Sequence, residues 1–208
     1  MPQTQVKLYK KDLDQKALDN FLQAGIISID CEMMGLNVVR DRLCLVQISD
    51  RDRNVALVQI QKNQRSAESL KKLLEQDSII KLFHYARTDL AWLKYWLGIN
   101  VSNVFCTKIA SKLARTYTDK HGLKDLCKEI LGKELNKNQQ GSDWGIDELS
   151  ADQKQYAAYD VIHLFDIYDK LKSMLERENK MSLARSCIGF THTLAELDSL
   201  GYVGVLEH

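Results

Sequence analysis

The sequence predicts an α/β domain with a helical C-terminal half. Short apolar, β-branched runs gather in the first third, strand and helix patterns alternate after them, and helical spacing fills the second half. The only proline is Pro2, so later helices can run uninterrupted. Ile26-Ile27-Ser28-Ile29-Asp30-Cys31 reads as a strand. Leu43-Cys44-Leu45-Val46-Gln47-Ile48 and Val55-Ala56-Leu57-Val58 follow with polar turns between them, so three neighbouring strands are expected. Ser66 to Glu75 is helical, Ile79 to Phe83 is a buried strand, and Thr88 to Leu97 is a helix ending at Gly98, its opening placed at Asp89. A short strand near Val101 to Phe105, helices over Thr107 to Thr116 and Leu123 to Leu131, and long helices after Ser150 and around Ser182 complete the order. Gly132 to Gly145, polar and rich in Asn and Gln, is expected as a surface loop.

A length of 208 residues fits one well-buried domain, expected over residues 1–206, and residues 207–208 at the end of Leu206-Glu207-His208 read as a tag remnant. No apolar run approaches the roughly 18 residues of a spanning helix, and the polar N-terminus is unlike a signal peptide, so a cytoplasmic protein without membrane attachment is expected. The five cysteines are scattered and never form a Cys-x-x-Cys pair, so they read as reduced, mostly buried thiols. Lys and Arg total 29 against 28 Asp and Glu, which lacks the basic excess of proteins that hold long nucleic acids.

Three segments carry chemistry. In Ile29-Asp30-Cys31-Glu32 the period of two puts both carboxylates on one side of a strand and Cys31 on the other. In Lys81-Leu82-Phe83-His84-Tyr85-Ala86-Arg87-Thr88-Asp89 a buried strand runs through a loop into a helix, where Asp89 is either a helix cap or a functional acid. In Tyr156-Ala157-Ala158-Tyr159-Asp160 the first and last residues share one helix face. An acid in an otherwise apolar helix needs a partner, and a divalent ion would supply one.

In order and spacing, these segments resemble the three motifs of the DEDD exonuclease superfamily, with Asp30, Glu32, Asp89 and Asp160 as its four acids. Tyr156, four residues before the last acid, places the resemblance in the tyrosine-type, RNase D-like branch. Asp41 to Ile48, Cys106 to Ala110, Gly122-Leu123-Lys124 and Ser142-Asp143-Trp144 extend it over about residues 26 to 170. The run Thr107 to Lys124 is similar to the short relatives called nanoRNase C. The resemblance implies an RNase H-like mixed sheet flanked by helices, without the helical nucleic-acid-binding domains that follow the RNase D core. It further implies 3'-5' hydrolysis of dinucleotides and short oligoribonucleotides to mononucleotides, and a homo-oligomer arranged as a ring.

Two divalent cations, Mg²⁺ or Mn²⁺, are expected, since hard oxygen ligands suit them. The resemblance implies Asp30 as bridging ligand, Glu32 and Asp160 on the water-side ion, and Asp89 on the other. Tyr156, with an ordinary pKa near 10, is expected to orient water rather than deprotonate it. Substrate contacts are expected among His84, Leu36, Trp144, Arg115 and His121. For each a structural reading stands beside the functional one: a strand-end cap for His84, packing for Leu36, a loop anchor for Trp144 and a solvated helix face for the basic pair. A trimming exonuclease for longer RNA or DNA is the rival enzyme, and a catalytically dead binding or assembly module the rival outside enzymes.

Overall fold

The computed structural model describes residues 4–135, 139–202 and 204–206. Six strands form one mixed sheet: β1 (Gln5–Lys10), β2 (Ile26–Met33), β3 (Leu43–Ser49), β4 (Asn54–Gln59), β5 (Ile80–Phe83) and β6 (Val104–Cys106). Their order across the sheet is β1-β4-β3-β2-β5-β6. The expected trio β2, β3 and β4 is an antiparallel meander, while β5 and β6 extend it in parallel on one side and β1 pairs parallel with β4 on the other. This is the RNase H-like arrangement of mixed sheet and flanking helices, with the helical C-terminal part in place.

Eight helices surround the sheet among the described residues: α1 (Gln15–Leu22), α2 (Glu68–Leu74), α3 (Ala86–Leu97), α4 (Thr107–Ala114), α5 (Leu123–Leu131), α6 (Ala151–Ile162), α7 (Leu164–Arg177) and α8 (Met181–Ser199). Ile27, Ile29 and Cys31 of β2 face a core shared with α1, α2 and α3. On the other side α6 packs its Ala157, Ala158 and Val161 with Leu45 of β3 and Leu57 of β4. Each fully buried Leu or Ile contributes roughly 1.5–3 kcal/mol, so a sheet covered on both faces holds its strands in fixed register. Helices α4, α5, α7 and α8 enclose a separate apolar cluster.

Several boundaries differ from expectation. The strand β1 and helix α1 were not anticipated, because β1 lies on the sheet edge with most of its residues exposed and shows little apolar patterning. Helix α3 starts at Ala86, not at Asp89, because Tyr85 adopts a left-handed conformation (φ 73°, ψ 48°) that turns the chain sharply. Asp89 therefore sits within the first turn and is not the cap. Helix α4 stops at Ala114, β6 begins at Val104, and the long helix after Ser150 divides at His163. The expected tag remnant at 207–208 lies outside the described residues. No helix among the described residues is long and apolar enough to cross a membrane.

Helix α6 carries two of the candidate functional residues, and its start is fixed by a capping box in which Ser150 and Gln153 satisfy each other's backbone N–H groups. Ser150→Ala is expected to lower stability by about 1 kcal/mol. Urea unfolding should show a lower midpoint with an unchanged slope; an unchanged midpoint would mean that packing alone fixes this helix end.

Candidate active site

The site forms where β2 loses one neighbour. Strand β5 pairs only with Ile26, Ile27 and Ser28, so the far half of β2 keeps β3 on one side and has an open edge on the other. Asp30 and Glu32 lie on this half, and a register shift between Glu32 and Met33 ends the regular ladder just beyond them. Gln47 stands directly opposite Asp30 on β3. Its Nε2 donates to Asp30 Oδ2 at 3.5 Å and Glu32 Oε1 at 3.4 Å.

Asp89 enters from α3 along the open edge. It is 4% exposed, and its carboxylate accepts hydrogen bonds from the backbone N–H and the thiol of Cys31. The first turn of a helix favours an anion there. From the opposite face α6 supplies Asp160 and, one turn earlier, Tyr156, whose hydroxyl hydrogen-bonds Asp160. Ligand oxygens of Asp30, Glu32 and Asp160 lie within 4.8 Å of one another.

Burial dominates the electrostatics. Desolvation, with neighbouring carboxylates adding to it, raises Asp30 well above its usual range and Glu32 to about 9. Desolvation raises Asp89 to about 8 despite its hydrogen bonds. The Tyr156 phenol is also driven up, first by burial and then by Asp160. Such a group of oxygens fits hard divalent cations: their charge compensates the carboxylates, and no soft ligand dominates the donor set.

A cavity of about 400 Å³ opens over these acids. Leu36, His84, Tyr85, Lys108 and Lys124 share its lining with Asp30, Glu32, Tyr156 and Asp160. Leu36 is 99% exposed, on the loop after β2. The Thr107 hydroxyl donates to the Phe83 carbonyl at 3.0 Å, so it accepts from His84 Nδ1–H at 2.9 Å, which fixes the tautomer of the neutral ring. Lys108 Nζ lies 4.0 Å from the Tyr85 ring centroid, a cation–π contact at the cavity wall.

Three expected substrate contacts are placed elsewhere. Trp144 is 1% exposed and packs in the core beneath Tyr156, so its ring offers no open face for a base. Arg115 is equally buried, donating to Ser111, the Lys120 carbonyl and Glu129, so its guanidinium is an internal brace. His121 pairs through Nδ1 with the Ser111 hydroxyl at 2.9 Å and does not line the cavity. Gln47, Tyr85 and Lys108 were missed. Only Gln47 left a signal, a lone amide inside an apolar strand.

A family model for a 3'-5' exonuclease matches residues 6–176. The structure of Brucella melitensis NrnC with bound Mg²⁺ superposes with a TM-score of 0.92 at 42% identity, covering 99% of this chain and 100% of that one. The same protein bound to pGG gives 0.92 at 43% identity with the same coverage. Ribonuclease D of Gluconacetobacter diazotrophicus is 33% identical over 160 residues, which are 77% of this chain and 40% of that protein. The chain thus spans less than half the length of the curated relatives it matches.

The raised carboxyls give a pH signature in EDTA. Their usual values are 3.8 for Asp and 4.5 for Glu, so in the unfolded chain they ionise first. A folded value above the unfolded one gives stability that is complete below the unfolded pKa and lost as pH rises through the folded one. In EDTA, Tm should fall between roughly pH 5 and pH 9. Mg²⁺ or Mn²⁺, which bind the ionised form, should reduce or reverse that fall. A flat Tm in EDTA would contradict this account of the carboxyls.

Proposed function

Because this chain belongs to the 3'-5' exonuclease family, in its RNase D-like, NrnC branch, we propose that it hydrolyses dinucleotides and other short oligoribonucleotides from the 3' end to nucleoside 5'-monophosphates. The observation that carries this substrate reading is the likeness, over the whole of that chain, to an NrnC solved with pGG bound. The near-neutral net charge of +1 agrees with it, because long polyanions are held through many phosphate contacts and a dinucleotide needs few. We further propose that the protein works in the cytoplasm as a ring-like homo-oligomer.

In this reading Asp30, Glu32, Asp89 and Asp160 hold two divalent cations, Mg²⁺ or Mn²⁺. When bound, such ions acidify the attacking water and neutralise charge on the phosphate and leaving oxygen. The rest falls to the chain's own groups. Gln47 and the Cys31 donors keep the carboxylates in register. Tyr156, kept protonated by burial, uses its hydroxyl to orient the attacking water and does not remove its proton. Leu36 stands against a base, and His84 contacts the phosphate or sugar. Tyr85 and Lys108 complete the wall on that side, and Lys124 supplies positive charge to the cavity.

An RNase D-like trimming activity on longer strands is the second reading, favoured by the 33% identity to ribonuclease D. A time course with 5'-labelled RNAs of two, three, seven and twenty nucleotides in Mg²⁺ or Mn²⁺ separates the two. Fastest loss of the dinucleotide, abolished by EDTA, is expected; steady shortening of the long strands with a persistent dinucleotide would overturn the short-substrate reading. Asp160→Ala should abolish turnover with the fold retained, and wild-type rates in Mn²⁺ would sink the four-carboxylate assignment. Tyr156→Phe should lower kcat by about 100-fold with KM changed far less, since it removes only a water-orienting hydroxyl. Equal losses in kcat and binding would contradict that role.

A further inference from the structure

Leu36 presents a problem of support. At 99% exposed it packs against nothing that would hold it, yet an apolar contact to a base is useful only if its direction is fixed beforehand. Fixation has to come from the backbone. The loop between β2 and β3 is closed at its base by the Met34 N–H donating to the Arg42 carbonyl at 3.0 Å. Its descending arm is pinned to α3: Trp96 Nε1 donates to the Val38 carbonyl at 3.1 Å, and Val38 itself is buried. Neither contact reaches the turn at Leu36 and Asn37.

Asp41 does. Its side chain is 11% exposed and turned back across the loop, where Oδ2 accepts from the Asn37 N–H at 2.9 Å. Arg40 closes the outer side with Nε and Nη2 on the two carboxylate oxygens at 2.7 and 2.9 Å, while remaining 75% exposed. The Arg40 guanidinium, then the Asn37 N–H, hold the Asp41 carboxyl at about 2, so the clasp stays charged at any working pH. The chain leaves room for it: Gly35 has φ +126°, and a methyl group at that position would overlap the Asp41 carboxylate. Asn37 tightens the same turn, its Oδ1 accepting from the N–H groups of Val39 and Arg40, each at 3.1 Å.

We infer that Asp41 is a positioning residue for substrate recognition: its carboxylate clasps the loop backbone at Asn37, the residue after Leu36, and so aims the Leu36 side chain into the cavity. The inference rests on the reading above, in which Leu36 meets a base. Asp41 touches no substrate in this account and acts only through Leu36.

A double-mutant cycle on a labelled dinucleotide tests it, with Leu36→Ala, Asp41→Ala and the pair compared in the metal-loaded protein. Each single change is expected to raise KM on the order of tenfold, the scale of one apolar contact, with kcat little changed. The pair should be no worse than Leu36→Ala alone. Asp41→Asn keeps one oxygen toward the loop and should give an intermediate KM. Gly35→Ala, which displaces the carboxylate, should match Asp41→Ala and stands in for it if that variant does not fold. A wild-type KM in the Asp41 variants overturns the inference, as does a rise that adds in full to that of Leu36→Ala. An unchanged KM in Leu36→Ala would instead show that Leu36 meets no base, so the reading beneath fails and takes the inference with it.

Discussion

Four carboxylates gathered at one site, Asp89 buried and Asp30, Glu32 and Asp160 half-buried and clustered, are the constraint that the rest of this structure answers to. Two unit charges 4.8 Å apart repel by about 3.5 kcal/mol at an effective dielectric near 20. The cluster contains several such pairs, against a total stability of roughly 5–15 kcal/mol for an ordinary domain. A flexible chain would relieve this by moving the acids apart. Here Asp30 and Glu32 are fixed by a strand with core on its other face, Asp89 by the first turn of a helix, and Asp160 by a helix packed on the sheet. The acids cannot separate without unpacking two faces of the sheet, so protonation or a bound cation is the available relief.

The supporting groups around the acids follow from this constraint. Gln47 and the Cys31 donors satisfy carboxylate oxygens from the protein side of the site, and they stabilise the charged form without adding charge. Cys31 is placed for this by the strand period: its side chain leaves the face of Asp30 and Glu32 and meets Asp89 on the other. One strand thus supplies two of the four acids and the hydrogen bonds that hold a third.

How far the sequence discloses the site depends on the range of the interaction. Asp30 and Glu32 are legible because the strand period of two is local, and Tyr156 with Asp160 because four residues make one helical turn. Asp89 was legible as an acid near a helix start, but its place was not, since the left-handed turn at Tyr85 is unusual for an aromatic residue and no capping rule anticipates it. Gln47 became meaningful only through cross-strand register. Arg115 and Trp144 mislead for the converse reason. A guanidinium and an indole look like ligand-binding groups until partners such as Glu129 and the core beneath Tyr156 claim them. The strands from β2 to β5 and helix α5 were readable from pattern alone; β1 was not, because an exposed edge strand need not alternate.

The same division separates chemistry from recognition. Metal-binding geometry tolerates little displacement, and it is built on strand and helix backbones whose register the core enforces. Recognition of a base needs an apolar surface in solvent, where the hydrophobic effect cannot hold it until substrate arrives. A loop in that position must be stiffened by polar means, and a carboxylate is the efficient device, since one charged group can accept from a backbone N–H and a guanidinium together. Asp41 is such a group, held between the loop backbone and Arg40, and Gly35 is the small residue that lets it approach. Trp96 ties the loop to α3, the helix that carries Asp89, so the wall of the cavity and one of the site's acids share a rigid support.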